Sequence, residues 1–169
     1  GHSFNSFFVE SFIDEMAHHA GDDVIEFRRR HLEPGSREQI VLDRLGVFVG
    51  GFGLNAAEVV CGMEPIAGED VLDLLQSLIE KSLVMLVERD DGAGYPMLDT
   101  IREVVREMLA QRDEVAKVAA RHCDHYFALA KEARNGLRGP EQADWLWRLE
   151  VELDNIRSAI ALSLAERVD

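Results

Sequence analysis

The residue types best able to do chemistry in this 169-residue chain are its histidines, and most of them fall in two clusters. Glu15, His18 and His19 make one, and His122, Cys123, Asp124 and His125 make the other. Residues three and four apart share a helix face. His122 with His125, or Glu15 with His18 or His19, can therefore bring two ligands together. A structural zinc site takes four N or S ligands. Two histidines and a cysteine that points elsewhere do not supply them, so no resident metal is expected and His18, His19, His122 and His125 are the only candidates. His122 also falls on the apolar stripe of its helix, where a hydrogen-bonded core histidine is the ordinary arrangement. Gly50-Gly51-Phe52-Gly53 is glycine-rich, but no segment matches the phosphate-cradling G-x-x-x-x-G-K-[ST], so it reads as a helix break. No G-x-S-x-G elbow occurs, and the 32 acids mostly stud helix faces. The chain is expected to be non-catalytic. Cys61 and Cys123 both lie in helical patterns and do not make a disulfide framework.

The elements that must position these residues follow from periodicity. Residues 4–20 place Phe4, Phe8 and Phe12 at steps of four. Residues 22–32 read as a short second helix carrying Arg28-Arg29-Arg30-His31, the chain's only basic cluster and most simply a solvated face. Ser36, with Glu38 and Gln39 close behind, suits a helix start, followed by Ile40, Val41, Leu42, Leu45 and Phe48. Leu54 to Cys61 is a short helix stopped by Gly62 and Pro65. Glu69-Asp70 open a third, with Val71, Leu74, Leu75, Leu78 and Ile79 on one face. The period then changes. Leu83 to Glu88 and Tyr95 to Leu98 flank a turn-forming Asp90–Gly94, which predicts a β-hairpin. Asp99 or Thr100 caps a further helix with Ile101, Val104, Val105, Met108 and Leu109 inward. Residues 113–135 form one long helix with Val118, His122, Tyr126 and Leu129 on a stripe, closed by Asn135-Gly136. From Gly139-Pro140 a last stretch carries Trp145, Leu149, Leu153, Ile156, Ile160 and Leu164. Helices, hairpin and closing helix come in the order of a winged helix-turn-helix. The expected fold is mainly α, a winged helix-turn-helix with a small β-hairpin wing followed by an antiparallel helical segment.

Composition sets limits on partners. With 47% hydrophobic and 30% charged residues the chain is globular, and its formal net charge is −14. DNA affinity comes mainly from Lys and Arg displacing counterions from phosphates, so an acidic chain is a poor DNA binder. There is no signal peptide and no apolar run near the roughly 20 residues of a membrane span; a cytoplasmic location is expected. Gly1-His2-Ser3 without a Met reads as a cloning remnant (1–3), so the natural protein is expected to be longer.

Three blocks carry a resemblance: residues 43–62 (DRLGVFVGGFGLNAAEVVCG), 70–87 (DVLDLLQSLIEKSLVMLV) and 95–109 (YPMLDTIREVVREML). Together they resemble the winged-helix region that follows the ATPase core in bacterial STAND regulators, including the large LuxR-type and antibiotic-regulator-like transcription factors. Residues 138–164 resemble the segment opening the tetratricopeptide-type array of the same proteins. The resemblance spans about residues 36–169 and leaves 4–35 unexplained. It implies a winged helix over 36–111 and a tetratricopeptide-like segment over 112–169. It also implies a role as a connector between an upstream nucleotide-binding core, where ATP and ADP bind, and downstream repeats. Met97-Leu98-Asp99 occupies the place where related ATPases carry a Met-His-Asp triplet whose histidine touches the ADP β-phosphate. Leu98 has no donor for a phosphate oxygen. On the residues alone, Met97 and Leu98 alternate across a hairpin strand and Asp99 caps the next helix.

The alternative is a winged helix that reads DNA. Its recognition helix would be about residues 69–81, where Glu69, Asp70, Asp73 and Glu80 stand against Lys81 alone, and the wing tip adds Asp90 and Asp91. Those charges oppose major-groove contact and point to a protein partner. A chain cut from a larger assembly would expose apolar surface, which favours homo-oligomers or exchanged helices.

Overall fold

The computed structural model describes residues 32–89 and 92–165. The expectations for Phe4, Phe8, Phe12, Glu15, His18, His19 and the Arg28–His31 run lie outside the described residues, as do Asp90 and Asp91.

Ser36 starts α1 (Arg37–Leu45), its hydroxyl accepting from the Gln39 N–H at 3.3 Å. The Gln39 side chain reaches back to accept from the Gly35 N–H at 2.8 Å, so two otherwise unpaired donors are satisfied. β1 (Phe52–Gly53), α2 (Leu54–Cys61), a 3-10 turn (Gly68–Asp70) and α3 (Val71–Glu80) follow. The wing is β2 (Val87–Arg89) and β3 (Gly92–Tyr95), and α4 (Asp99–Ala110) closes the module. The sheet is antiparallel in the order β1-β3-β2, with Phe52 opposite Tyr95 and Val87 opposite Gly94. Gly46 is where α1 ends against α4. A Cβ there would meet the Val105 carbonyl carbon at 2.9 Å, so a side chain would force the two helices apart.

Two parts of this sheet differ from the sequence expectation. Phe52-Gly53, expected only to break a helix, is also a strand, because two residues are too few to display a period of two. The run Leu83 to Glu88, expected as one strand, becomes a strand only at Val87. Its first part terminates α3 instead. Ser82 takes φ 56°, the Ser82 N–H donates to Ile79 O and the Leu83 N–H to Leu78 O, both at 2.9 Å. This is a Schellman closure, and both Leu78 and Leu83 are buried. Burying Leu83 and Val84 outweighs extending them into a longer, exposed edge strand.

Beyond the winged helix, α5 (Val115–Gly136) turns one stripe inward: Val118, His122, Tyr126, Leu129 and Ala133. The expected final stretch is two helices, α6 (Gln142–Val151) and α7 (Leu153–Ala165). The break falls at Glu152, whose carboxylate is drawn inward to the Tyr126 hydroxyl; no glycine or proline announces it. α7 runs antiparallel to α5, since Cys123 faces Ala159 while Tyr126 faces Glu152. Gly136, expected to end α5, is its last residue, and the Trp145 ring of α6 lies where its Cβ would be.

One core serves both parts. Tyr95 of β3 stacks on Phe52 at 6.0 Å, Phe52 on Phe48 at 4.5 Å, and Phe48 meets the edges of His122 and Tyr126 at 5.3 and 6.4 Å. This aromatic column ties the wing to α5 through offset and edge contacts that carry energy beyond area burial.

Candidate functional site

The chain's polar chemistry concentrates where the winged helix meets the helical hairpin, in two buried networks. The first centres on Arg44, the second-last residue of α1, with a fully buried side chain. Its Nε and Nη2 grip Glu114 at 3.1 and 2.7 Å. Nη1 donates to the carbonyls of Cys61 and Met63 at 2.8 and 2.7 Å, and Nη2 to that of Glu64 at 2.9 Å. All five donors of the guanidinium are thus used. Arg121 of α5 adds donors to Val59 O and Gly62 O, so two arginines cap the C-terminal carbonyls of α2. Beside them Arg112 donates to Asp43 at 2.7 Å. The Arg44 hydrogen bonds hold the Glu114 carboxyl below the usual range. Burial pushes the Cys61 thiol up to about 12, which makes it an inert core residue.

The second network centres on Asn155 and Glu152. Asn155 accepts from the Val49 and Gly50 N–H groups at 2.9 and 3.4 Å and donates to Gly51 O at 2.9 Å. It also donates to Glu152 Oε2 at 3.2 Å, the oxygen that takes the Tyr126 hydroxyl at 2.9 Å. Arg89 of the wing reaches Glu152 Oε1 at 3.6 Å. The glycine loop that leads into β1 is therefore fastened to α7, and the wing to the α6–α7 break. Neither Glu152 nor Asn155 stands out in the sequence, where both sit among the many polar residues of an apparently continuous helix.

The residues singled out by sequence are only partly brought together. His122 is fully buried between Phe48 and Tyr126, with rings 5.3 and 4.7 Å away. The expected hydrogen bond is missing: neither ring nitrogen has a partner among the described residues. Apolar packing fills this site, and the ring behaves as an aromatic core residue. His125 is half-buried and edge-on to Tyr126 at 5.0 Å. No group of three or more His, Cys, Asp or Glu able to hold a metal occurs among the described residues. Cys61 and Cys123 are free thiols.

Met97-Leu98-Asp99 lies past the end of β3, so these residues do not alternate across a hairpin strand. Met97 is buried, Leu98 packs on the core and stands at the N-cap of α4, and no side chain caps that helix. Asp99, expected as the cap, is the first helical residue. It is 88% exposed and pairs with Arg102 at 2.7 Å. With Leu98 at the N-cap, α4 begins one residue earlier than the cap chemistry of Asp99 suggests.

Burial sets His122 apart in pH response. Desolvation drives its pKa down to about 4, against a smaller opposing influence of Asn155 and with help from His125. The unfolded chain takes a proton as pH falls below the ordinary 6.5, whereas folded His122 stays neutral to about pH 4. Stability should therefore fall as pH drops through this window, by about 2 kcal/mol at pH 5, and then level off. In His122→Phe this loss should vanish, which thermal melts from pH 7 to 4 would record; an unchanged pH profile would refute the assignment.

A three-helix core with a three-stranded sheet ending in a wing defines a winged helix-turn-helix, with α2 and α3 as the helix-turn-helix pair. Relatives in Mycobacterium bovis and Mycobacterium tuberculosis, provisionally named HTH-type transcriptional regulators, are 39% identical over 126 residues. That match covers 75% of this chain but 14% of the relatives, so the chain spans a small part of their length. Uncharacterised proteins of the same two species are 34% identical over 89 residues, 52% of this chain and 23% of theirs. No protein-family model matches the chain, and no solved structure matches it significantly. This chain is similar to a portion of helix-turn-helix transcriptional regulators. Among the described residues no helix is long and apolar enough to cross a membrane.

Proposed function

We propose that this chain is a non-catalytic connector in a multidomain STAND-type transcriptional regulator. Its winged helix (36–111) would dock on an upstream nucleotide-binding core, and its helical segment (112–169) would open a tetratricopeptide-like array. Cytoplasm is the compartment this role requires. The observation that carries the reading is the outward face of α3. Leu72, Asp73, Gln76 and Glu80 are its exposed side chains, with Glu69 just ahead of the helix. Lys81, the one cation there, bonds to Ser77. A face of acids around an exposed leucine suits a protein partner, since DNA contact would set like charges against phosphates.

A second feature supports the helical half of the role. Leu146, Leu153, Ile160 and Leu164 are 54, 39, 53 and 57% exposed at spacings of seven, seven and four. Leu153, Ile160 and Leu164 give α7 an apolar face left open among the described residues, with Leu146 exposed on α6, and such a face is of the kind the next helices of an array cover; a second copy of the chain is the other occupant consistent with it. ATP and ADP would bind upstream, outside this chain.

The names of the mycobacterial relatives favour a second reading, a winged helix that binds DNA directly. A fluorescence-polarisation titration of the chain against mixed-sequence duplex at low salt separates the two, because electrostatic affinity is greatest there. No saturable binding at micromolar protein is expected. Tight binding that weakens steeply with salt would overturn the connector reading.

A further inference from the structure

We propose that the cleft between the wing and the helical hairpin binds a small phosphate-bearing ligand, held by Arg89, Arg148 and the first turn of α2. The inference stands independently of the docking reading above. The cleft is about 500 Å³, within the range of small-molecule sites. Arg89 enters it from the wing, Arg148 from α6, His125 from α5 and Glu152 from the α6–α7 break, and the first residues of α2 form its floor.

Arg89 is the main argument. Its side chain is only 16% exposed, and its guanidinium lies in a slot that Gly51 and Gly94 keep open: a Cβ at either position would collide with it. So deeply seated a guanidinium needs acceptors for its five N–H groups. Among the described residues it makes no hydrogen bond, and its one ion pair, to Glu152 Oε1, is long at 3.6 Å. The other Glu152 oxygen is already engaged by Tyr126 and Asn155. Arg148 lies over the Trp145 ring at 5.1 Å and has no carboxylate partner among the described residues. With burial lowering the pKa of His125, the lining carries two guanidinium charges against one carboxylate, a net positive cleft in a chain of net charge −14.

The chemistry favours phosphate. α2 has no side-chain cap and no acid in its first turn, and its first residues, Leu54, Asn55 and Ala56, line the cleft. Two arginines and the uncapped start of α2 line this cleft, and a guanidinium fork and a helix N-terminus both recognise a tetrahedral group with three or more acceptor oxygens. A carboxylate offers two. Met97, Leu98 and Asp99 take no part in this cleft.

Titration of the 15N-labelled full chain with inorganic pyrophosphate at low ionic strength tests this. Saturable shifts of the Leu54, Asn55 and Ala56 amides and of Arg89 Nε are expected. Arg89→Gln and Arg148→Gln should each weaken binding tenfold or more. Arg102→Gln, on the far side of α4, should leave it unchanged. Arg148 is exposed, so its variant keeps the test sound if Arg89→Gln loses the dispersed amide spectrum of the fold. Malonate run in parallel should bind at least tenfold more weakly. Shifts that never saturate, that centre on Arg102 and Arg106, or that malonate reproduces at equal affinity would each overturn the proposal.

Discussion

Arg44→Met should destabilise the protein by about 3–5 kcal/mol, the usual consequence of removing one partner from a buried ion pair. In a chain of this size that is a fall in Tm of about 10 °C or more. The substitution keeps the stem's packing but strands three backbone carbonyls, those of Cys61, Met63 and Glu64, in the gap between α2 and the loop that follows. It also leaves Glu114 without its bidentate partner. Arg44→Lys should recover only part of the loss, because an ammonium cannot present a fork to Glu114 and also reach the carbonyls. Glu114 itself is 23% exposed and can be solvated, so Glu114→Gln should be milder. Its signature is in pH. The folded carboxyl is held low by Arg44, so its contribution is complete above the ordinary 4.5 and is lost as pH falls below that toward the depressed folded value. The wild type and Glu114→Gln should therefore converge in Tm as pH falls below the ordinary 4.5. A Tm for Arg44→Met within 2 °C of wild type would show that the network is incidental.

Why this arginine was not legible in the sequence is instructive. Asp43-Arg44 sits between Leu42 and Leu45 in an otherwise amphipathic helix, and a charged pair at that place normally faces water. It is buried here because the partners come from residues 61–64 and from 112–114, far along the chain, and nothing local announces them. The helices α2 and α3 were legible to the residue or nearly so, since a strong apolar stripe ends at glycine or at a change of period. The wing was legible as a hairpin because Asp-Gly chemistry lies between two apolar runs. β1 was not, being two residues long, and neither was the break at Glu152, which depends on Tyr126 26 residues earlier. Of the two histidine clusters, only the one at residues 122–125 falls among the described residues. His122 owes its place to ring packing against Phe48 and Tyr126, and the polar site formed around Arg89, Glu152 and Asn155, which are joined to Tyr126 and to the loop at residues 49–51 from far along the chain.

Asn155→Leu should cost about 3 kcal/mol or more, since it leaves the Val49 and Gly50 N–H groups and the Gly51 carbonyl without their side-chain partner, each at about 1–3 kcal/mol. The side chain is 1% exposed, so water cannot substitute. The loss has a particular location. Asn155 is the only side chain of α7 that fastens the glycine loop among the described hydrogen bonds, and that loop leads through β1 to the wing. Hydrogen exchange should therefore quicken at Val49 and Gly50 more than in the middle of α3, as the hairpin loosens from the winged helix before either unfolds. Asn155→Asp separates lost geometry from added charge. It keeps an acceptor for the two N–H groups but turns the donor toward Glu152 Oε2 into a second carboxylate. Two carboxylates so close cannot both ionise cheaply, so the pKa of the pair rises in the fold. A raised folded value means stability present at low pH and lost as pH rises through the carboxylate range. Asn155→Asp should thus approach wild-type stability near pH 4 and fall well below it at pH 7, opposite in sign to the Glu114 effect. Equal protection of Val49 and Gly50 in wild type and Asn155→Leu would mean that Asn155 is no latch, leaving the aromatic column and the Arg121 contacts to α2 to join the winged helix and the hairpin.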